Sequence, residues 1–150
     1  MSSNKLSGEE NSVVVVDGDE TSRNELKALL EADGFTVITA SKGSRALSLF
    51  QERPRLWKPV FVVVDSMLPD MSGYELVKQL SDQYSNKEAA YIMVAKYPGG
   101  EDVLEAKSSG ALDCVQKPLT KEKWSELLEK HRIQKMKGEI GTMVFDINHL

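Results

Sequence analysis

Two short runs of consecutive apolar residues set the pattern of the chain, and each run ends at an acidic residue. Residues 61–64 stop at Asp65, and residues 13–16 stop at Asp17. Runs this short and this rich in valine are typical of strands that are buried on both faces of a parallel sheet. Parallel strands end at one edge of their sheet, where open α/β sheets bind ligands, so we expect Asp17 and Asp65 to meet there.

Strand-like and helix-like segments alternate along the rest of the chain. β-Branched and aromatic residues favour strands, and leucines three or four residues apart predict helices. Ser22 and Ser72, each followed three residues later by Glu, are candidate N-caps, as is Thr120, and the last helix should reach about Lys137. Five alternations predict a doubly wound α/β domain with a parallel sheet. The predicted strands cover residues 13–16, 35–40, 60–64, 90–95 and 113–116.

The acidic residues at the strand ends suggest a binding site. Two neighbouring carboxylates repel each other unless a cation or a proton relieves the repulsion. Such a group, with Asp19 close to Asp17, suits a divalent metal and, through the metal, a phosphoryl group. The simpler interpretation is that Asp65 only ends a strand, since acids favour turns. The second apolar run that ends in acids favours a site.

The composition limits the kinds of function. The chain has 150 residues, which fits one domain, and its net charge of −4 gives no reason to expect nucleic acid or an anionic membrane as a direct partner. Its single cysteine, Cys114, cannot form an internal disulfide and fits a reducing compartment, so we expect a cytoplasmic protein. No Gly-rich phosphate loop, Cys/His metal spacing or nucleophile elbow occurs, so we expect no enzyme.

Both ends of the chain differ from its central part. Residues 1–11 are polar and lack the features of a secretory signal, and we expect them to form a disordered arm. Residues 133–150 begin with basic side chains, and residues 142–147 have strand-like content. Both a linker and an added edge strand fit this C-terminal extension.

The set of motifs resembles the receiver domain of bacterial two-component response regulators over roughly residues 12–130, and we expect the receiver domain to occupy residues 12–132. The set consists of the acids after the first strand, the segment Asp65-Ser-Met-Leu-Pro69 with Gly73 after the third, and Lys117-Pro118 after the fifth. The resemblance implies a flavodoxin-like fold with strand order 2-1-3-4-5 and a site where strands one and three end. It also implies a histidine kinase or phosphotransfer protein as partner, and a downstream protein that binds the last two βα units.

The resemblance assigns roles to individual residues. Asp65 matches the phosphoacceptor, and Lys117 matches the lysine whose ammonium contacts the phosphoryl oxygens. Asp17, Asp65 and the backbone carbonyl of Met67 match ligands of a magnesium ion. The family usually has a cis peptide bond between the residues that match Lys117 and Pro118.

Three positions depart from the family pattern. Gly18 stands where the family has a second acid that binds magnesium directly, so we expect Mg²⁺ binding to be weak or absent, unless Asp19 takes its place. Ala95 replaces the Ser or Thr that contacts the phosphoryl group, and Cys114 replaces the aromatic switch residue, which predicts weak conformational coupling. Two functions fit: a phosphoacceptor, and a pseudo-receiver that acts as a protein-interaction scaffold without phosphorylation.

Overall fold

The two apolar runs form neighbouring strands at the centre of a parallel sheet. The computed structural model describes residues 11–53, 59–84 and 89–131. The strands are β1 (Ser12–Val16), β2 (Thr36–Ala40), β3 (Phe61–Asp65), β4 (Ala90–Ala95) and β5 (Asp113–Gln116), and the helices are α1 (Glu20–Ala32), α2 (Gly43–Glu52), α3 (Gly73–Tyr84), α4 (Gly100–Ser109) and α5 (Lys121–Lys130). The strand order is β2-β1-β3-β4-β5, and all neighbours are parallel. The predicted flavodoxin-like fold is therefore confirmed.

The central strands are buried on both faces, as their apolar sequences predict. Val14 and Val16 face a core cluster with side chains of α2, α3 and α4, whereas Val13 and Val15 face a second cluster with side chains of α1 and α5. This division follows from the alternation of side chains along a strand. The helices thus cover both faces of the sheet and leave the carboxyl ends of the strands open to loops.

The helix starts agree with the sequence at two of three predicted caps. The hydroxyl of Ser72 accepts a hydrogen bond from the backbone N–H of Glu75 at 3.1 Å, and Thr120 caps α5 in the same way. The prediction that Ser22 caps the first helix was wrong. Asp19 is the N-cap of α1, and its carboxylate accepts from the backbone N–H of Ser22 at 2.8 Å. An acid at this end also interacts favourably with the helix dipole.

The last helix is shorter than the sequence suggested. It ends at Lys130, short of the expected Lys137, and its final side chains turn back onto the start of β5. Lys130 Nζ and His131 Nε2 lie 3.1 and 3.2 Å from Oδ2 of the buried Asp113. Burial alone would raise the pKa of Asp113, but these contacts and the N–H of Cys114 hold its pKa below the usual value.

The predicted terminal segments lie largely outside the described residues. Of the N-terminal arm only Asn11 is described, and its side-chain amide donates to the carbonyl of Gly34 at 2.8 Å. The extension at residues 133–150 falls entirely outside, so its role stays a prediction. Within residues 11–53, 59–84 and 89–131, no helix has the length and apolar character needed to span a membrane.

Candidate functional site

The carboxyl ends of β1, β3 and β5 bring two carboxylates and one ammonium group together. Lys117 Nζ lies 2.8 Å from Asp65 Oδ2 and 3.1 Å from Asp17 Oδ2. The side chain of Asp17 is fully buried, and those of Asp65 and Lys117 are 13% and 14% exposed. The ammonium therefore bridges the two acids and relieves the repulsion that their proximity would cause.

Burial and charge shift the pKa values of this group in the same direction. Burial raises the pKa of Asp65 above its usual value, and the Lys117 hydrogen bond only partly opposes it. Burial alone would lower the pKa of Lys117, but hydrogen bonds to Asp65 and Asp17 outweigh it and raise the pKa. Both pKa values are raised for related reasons. The Lys117 ammonium is stabilised by two carboxylates, whereas the charge of Asp65 is destabilised by the nearby charge of Asp17. At neutral pH the lysine is therefore firmly protonated.

Asp17 has further partners that the sequence did not reveal. Its Oδ1 accepts from the backbone N–H of Asp19 at 2.9 Å, and its Oδ2 accepts from the hydroxyl of Ser22 at 2.6 Å. The guanidinium of Arg23 donates to its backbone carbonyl at 2.9 Å. Ser22 and Arg23 lie in the first turn of α1, five and six residues after Asp17. This short separation in sequence was the signal that could have identified them as partners of Asp17. Both oxygens of Asp17 are thus already bound within the protein.

The loop after β3 fixes Asp65 in place. The backbone N–H of Met67 donates to Asp65 Oδ1 at 3.2 Å, while the Met67 side chain is 80% exposed. A Cβ at Gly73 would collide with the carbonyl oxygen of Asp65, so glycine allows this close approach. Asp70 accepts hydrogen bonds from the N–H groups of Gly43 and Ser44, which anchors the loop to the start of α2.

Two positions next to Asp17 bear on whether a magnesium ion could bind at this edge of the sheet. Mg²⁺ requires near-octahedral oxygen coordination, commonly with carboxylate ligands. Gly18 supplies no side chain, and a Cβ there would lie 2.8 Å from Cδ of Pro69, so the position is closely packed. Asp19 is engaged as the cap of α1. Among the described residues, no group of three or more His, Cys, Asp or Glu side chains could hold a metal.

A cavity of about 740 Å³ opens above the two acids. Asp65, Met67 and Lys117 line it together with Gly18, Asp19 and Ser22. Lys96, which the sequence did not single out, also lines it. The cavity gives an incoming group access to Asp65, whereas Asp17 is buried beneath.

Ala95 and Cys114, which match the switch positions of the family, are buried in the core. Ala95 and Cys114 are each 6% exposed and belong to the cluster beneath α3 and α4. Burial raises the pKa of the Cys114 thiol to about 11, so it stays protonated at neutral pH. The carbonyl of Ala95 accepts from the N–H of Lys117 at 2.8 Å, and the peptide bond between Lys117 and Pro118 is cis, as expected. Neither switch position offers a hydroxyl or an aromatic ring.

Comparison with known proteins identifies the family. The model of the response regulator receiver domain matches residues 13–129. The chain belongs to this family. Receiver domains of response regulators act in two-component systems, interact with histidine kinases or phosphotransfer proteins, and typically bind Mg²⁺ at the phosphorylation site.

Individual relatives resemble the chain to different extents. The two-component response regulator PprB of Pseudomonas aeruginosa is 28% identical over 120 residues, which is 79% of this chain but 42% of that protein. The polar-differentiation response regulator DivK of Brucella anthropi is 26% identical over 120 residues, covering 80% of this chain and 94% of DivK. The structure of the Vibrio cholerae chemotaxis protein CheY4 is 27% identical with a TM-score of 0.70, covering 79% of this chain and 96% of that one. The chain thus spans less than half of PprB and nearly all of DivK and CheY4.

Proposed function

We propose that this receiver domain accepts a phosphoryl group on Asp65 from a histidine kinase or a phosphotransfer protein. The observation that carries the proposal is the contact of 2.8 Å between Lys117 Nζ and Asp65 Oδ2 at the base of an open cavity. The lysine can follow the charge as it moves from the carboxylate to the phosphoryl oxygens, because its stem is flexible and carries three donors.

The chemical step transfers one phosphoryl group between two side chains. A carboxylate oxygen of Asp65 attacks the phosphorus of a phosphohistidine, and a P–O bond forms as the P–N bond breaks. The imidazole nitrogen keeps the bonding electrons and takes up a proton as it leaves. Lys117 stabilises the negative oxygens, and the N–H of Met67, which donates to Asp65 Oδ1, helps to orient the carboxylate.

We further propose that Mg²⁺ binds only weakly at this site. Asp17, Asp65 and the carbonyl of Met67 would hold the ion, with Asp19 as a further candidate ligand, and the ion would neutralise negative charge at the site. Three features support weak binding: the missing side chain at Gly18, the occupied oxygens of Asp17 and the capping role of Asp19. No step above depends on the ion.

Phosphorylation should change the shape of the domain little. The downstream partner would bind the last two βα units, where the side chains of Tyr97 and Leu104 are 85% and 68% exposed. Ala95 offers no donor to a phosphoryl group, so the phosphorylated state lacks the hydrogen bond that a Ser or Thr hydroxyl at this position would make. Partner affinity should therefore change less than about tenfold with phosphorylation. We place the function in the cytoplasm and expect no direct contact with nucleic acid.

Intact-mass measurement after incubation with acetyl phosphate tests the proposal. The wild type should gain one phosphoryl group over a series of Mg²⁺ concentrations, and Asp65→Asn should gain none. Asp82→Asn, on the exposed side of α3, is the matched control and should behave like the wild type. An adduct that persists in Asp65→Asn would locate the acceptor elsewhere. No adduct at any Mg²⁺ concentration would favour the pseudo-receiver scaffold.

A further inference from the structure

Lys96 is a second cation beside the proposed phosphoacceptor. It directly follows Ala95 at the carboxyl end of β4, its side chain is exposed, and it lines the same cavity as Asp65 and Lys117. Its ammonium forms no ion pair or hydrogen bond with any of the described residues, in contrast to Lys117. A lysine that lines the cavity without a partner is available to an anion.

The backbone holds Lys96 close to the loop that carries Asp65. In the sheet, Asp65 is paired with Val94, and the N–H of Ser66 donates to the carbonyl of Val94 at 2.9 Å. On the other side, the carbonyl of Lys96 accepts from the side-chain amide of Gln116 at 3.1 Å. The backbone of Lys96 is thus fixed between the ends of β3 and β5, while its four-carbon stem remains free to turn.

The carboxylates around Asp65 outnumber the positive groups that contact them. Asp17 and Asp65 carry two negative charges, and Lys117 supplies one positive charge between them. Asp19 and Glu25 also line the cavity, from the side of α1, where Asp19 already caps the helix. A phosphoryl group on Asp65 adds further negative charge. Because we propose that Mg²⁺ binds only weakly here, a further positive charge matters, and Lys96 is the unpaired cation among the described residues that line the cavity.

We propose that Lys96 and Lys117 together bind the oxygens of the phosphoryl group, so that transfer to Asp65 proceeds without a divalent cation. This inference rests on the proposed function. Lys96 would contact oxygens that become more negative in the transition state, as lysine clamps on transferring phosphoryl groups do. Gly18 would then leave out a carboxylate ligand for the metal, and Lys96 would supply the positive charge in its place.

Phosphorylation by acetyl phosphate in EDTA and in Mg²⁺ tests this inference. We expect the wild type to form the adduct in EDTA at a rate within about threefold of that in Mg²⁺, since the lysines supply the charge. Lys96→Ala should slow formation in EDTA by about tenfold or more, a factor that corresponds to about 1.4 kcal/mol in the barrier. Lys107→Ala, which removes an exposed lysine of α4, is the matched control and should change neither rate.

The contrary outcomes are distinct. Loss of the wild-type adduct in EDTA, or equal rates for Lys96→Ala and the wild type, would overturn the inference and leave Asp65 as acceptor. If no adduct forms in either condition, the proposed function fails. The role of Lys96 in binding phosphoryl oxygens is then tested separately, by the binding of inorganic phosphate. Asp65→Asn removes the repelling carboxylate, so inorganic phosphate should raise its melting temperature. Equal shifts in Asp65→Asn and in Asp65→Asn with Lys96→Ala would overturn the role of Lys96.

Discussion

Replacing Lys117 by methionine removes the ammonium that joins two carboxylates. The substitution keeps most of the apolar stem but leaves Asp17, which is fully buried, and Asp65, which is 13% exposed, without their shared cation. Breaking a buried ion pair by removing one partner typically costs about 3–5 kcal/mol. Asp17 keeps its hydrogen bonds from Asp19 and Ser22, so the loss should lie near the lower end, at about 3 kcal/mol.

Urea unfolding at neutral pH measures this loss. Lys107→Met, on the exposed surface of α4, is the matched control and should stay within about 0.5 kcal/mol of the wild type. Adding Asp65→Asn to Lys117→Met removes one of the two repelling carboxylates and should restore at least about 1 kcal/mol. A loss below about 1 kcal/mol, which is typical of exposed ion pairs, together with no recovery in the double variant, would refute the buried bridge.

Three further substitutions test other features of the structure. Gly18→Asp should cost roughly 1–3 kcal/mol because its Cβ would lie 2.8 Å from Cδ of Pro69; with Pro69→Ala added, it should bind Mg²⁺ more tightly in calorimetric titration, and unchanged affinity would mean that the ligand set is already complete. Asp113→Asn should cost roughly 1.5–3 kcal/mol at neutral pH. Because the folded pKa of Asp113 is lowered, its contribution exists above the unfolded pKa and is lost as the pH falls through the folded one, so the difference from the wild type should disappear in strongly acidic unfolding experiments. Ala95→Thr should enlarge the changes in amide NMR chemical shift in α4 on addition of beryllofluoride and Mg²⁺. Equal changes in the wild type and the variant would contradict the claim that the missing hydroxyl weakens the conformational coupling.

The fold, and the meeting of Asp17 and Asp65 at one edge of the sheet, were predictable from the sequence. Short apolar runs that are rich in valine are typical of strands buried between two helical layers, and in a parallel sheet the acids after two neighbouring strands meet at one edge. Lys117 was assigned through the resemblance to receiver domains, and its place directly after a strand and before Pro118 agreed with that assignment. These features depend on the order of elements along the chain, which the hydrophobic pattern records.

The remaining features depend on contacts that the order of elements does not determine. Asp19 and Ser22 are both good capping residues, and the helix begins at the earlier one, which frees the hydroxyl of Ser22 for Asp17. Likewise, α5 ends where its basic side chains contact Asp113, a residue far away in sequence. The sequence did not single out Lys96, because its relevance depends on two structural features: it lines the cavity, and it has no partner among the described residues.

Locating an acyl phosphate by chemical reduction tests the central claim most directly. Borohydride reduces the acyl phosphate of an aspartate to homoserine, which is stable and can be placed in the sequence by mass spectrometry of peptides. After incubation with a phosphorylated histidine kinase or phosphotransfer domain, homoserine should occur at position 65, and Asp65→Asn should yield none. Homoserine at another aspartate, such as Asp19, or its absence from every peptide, would contradict the role of Asp65 as the phosphoacceptor.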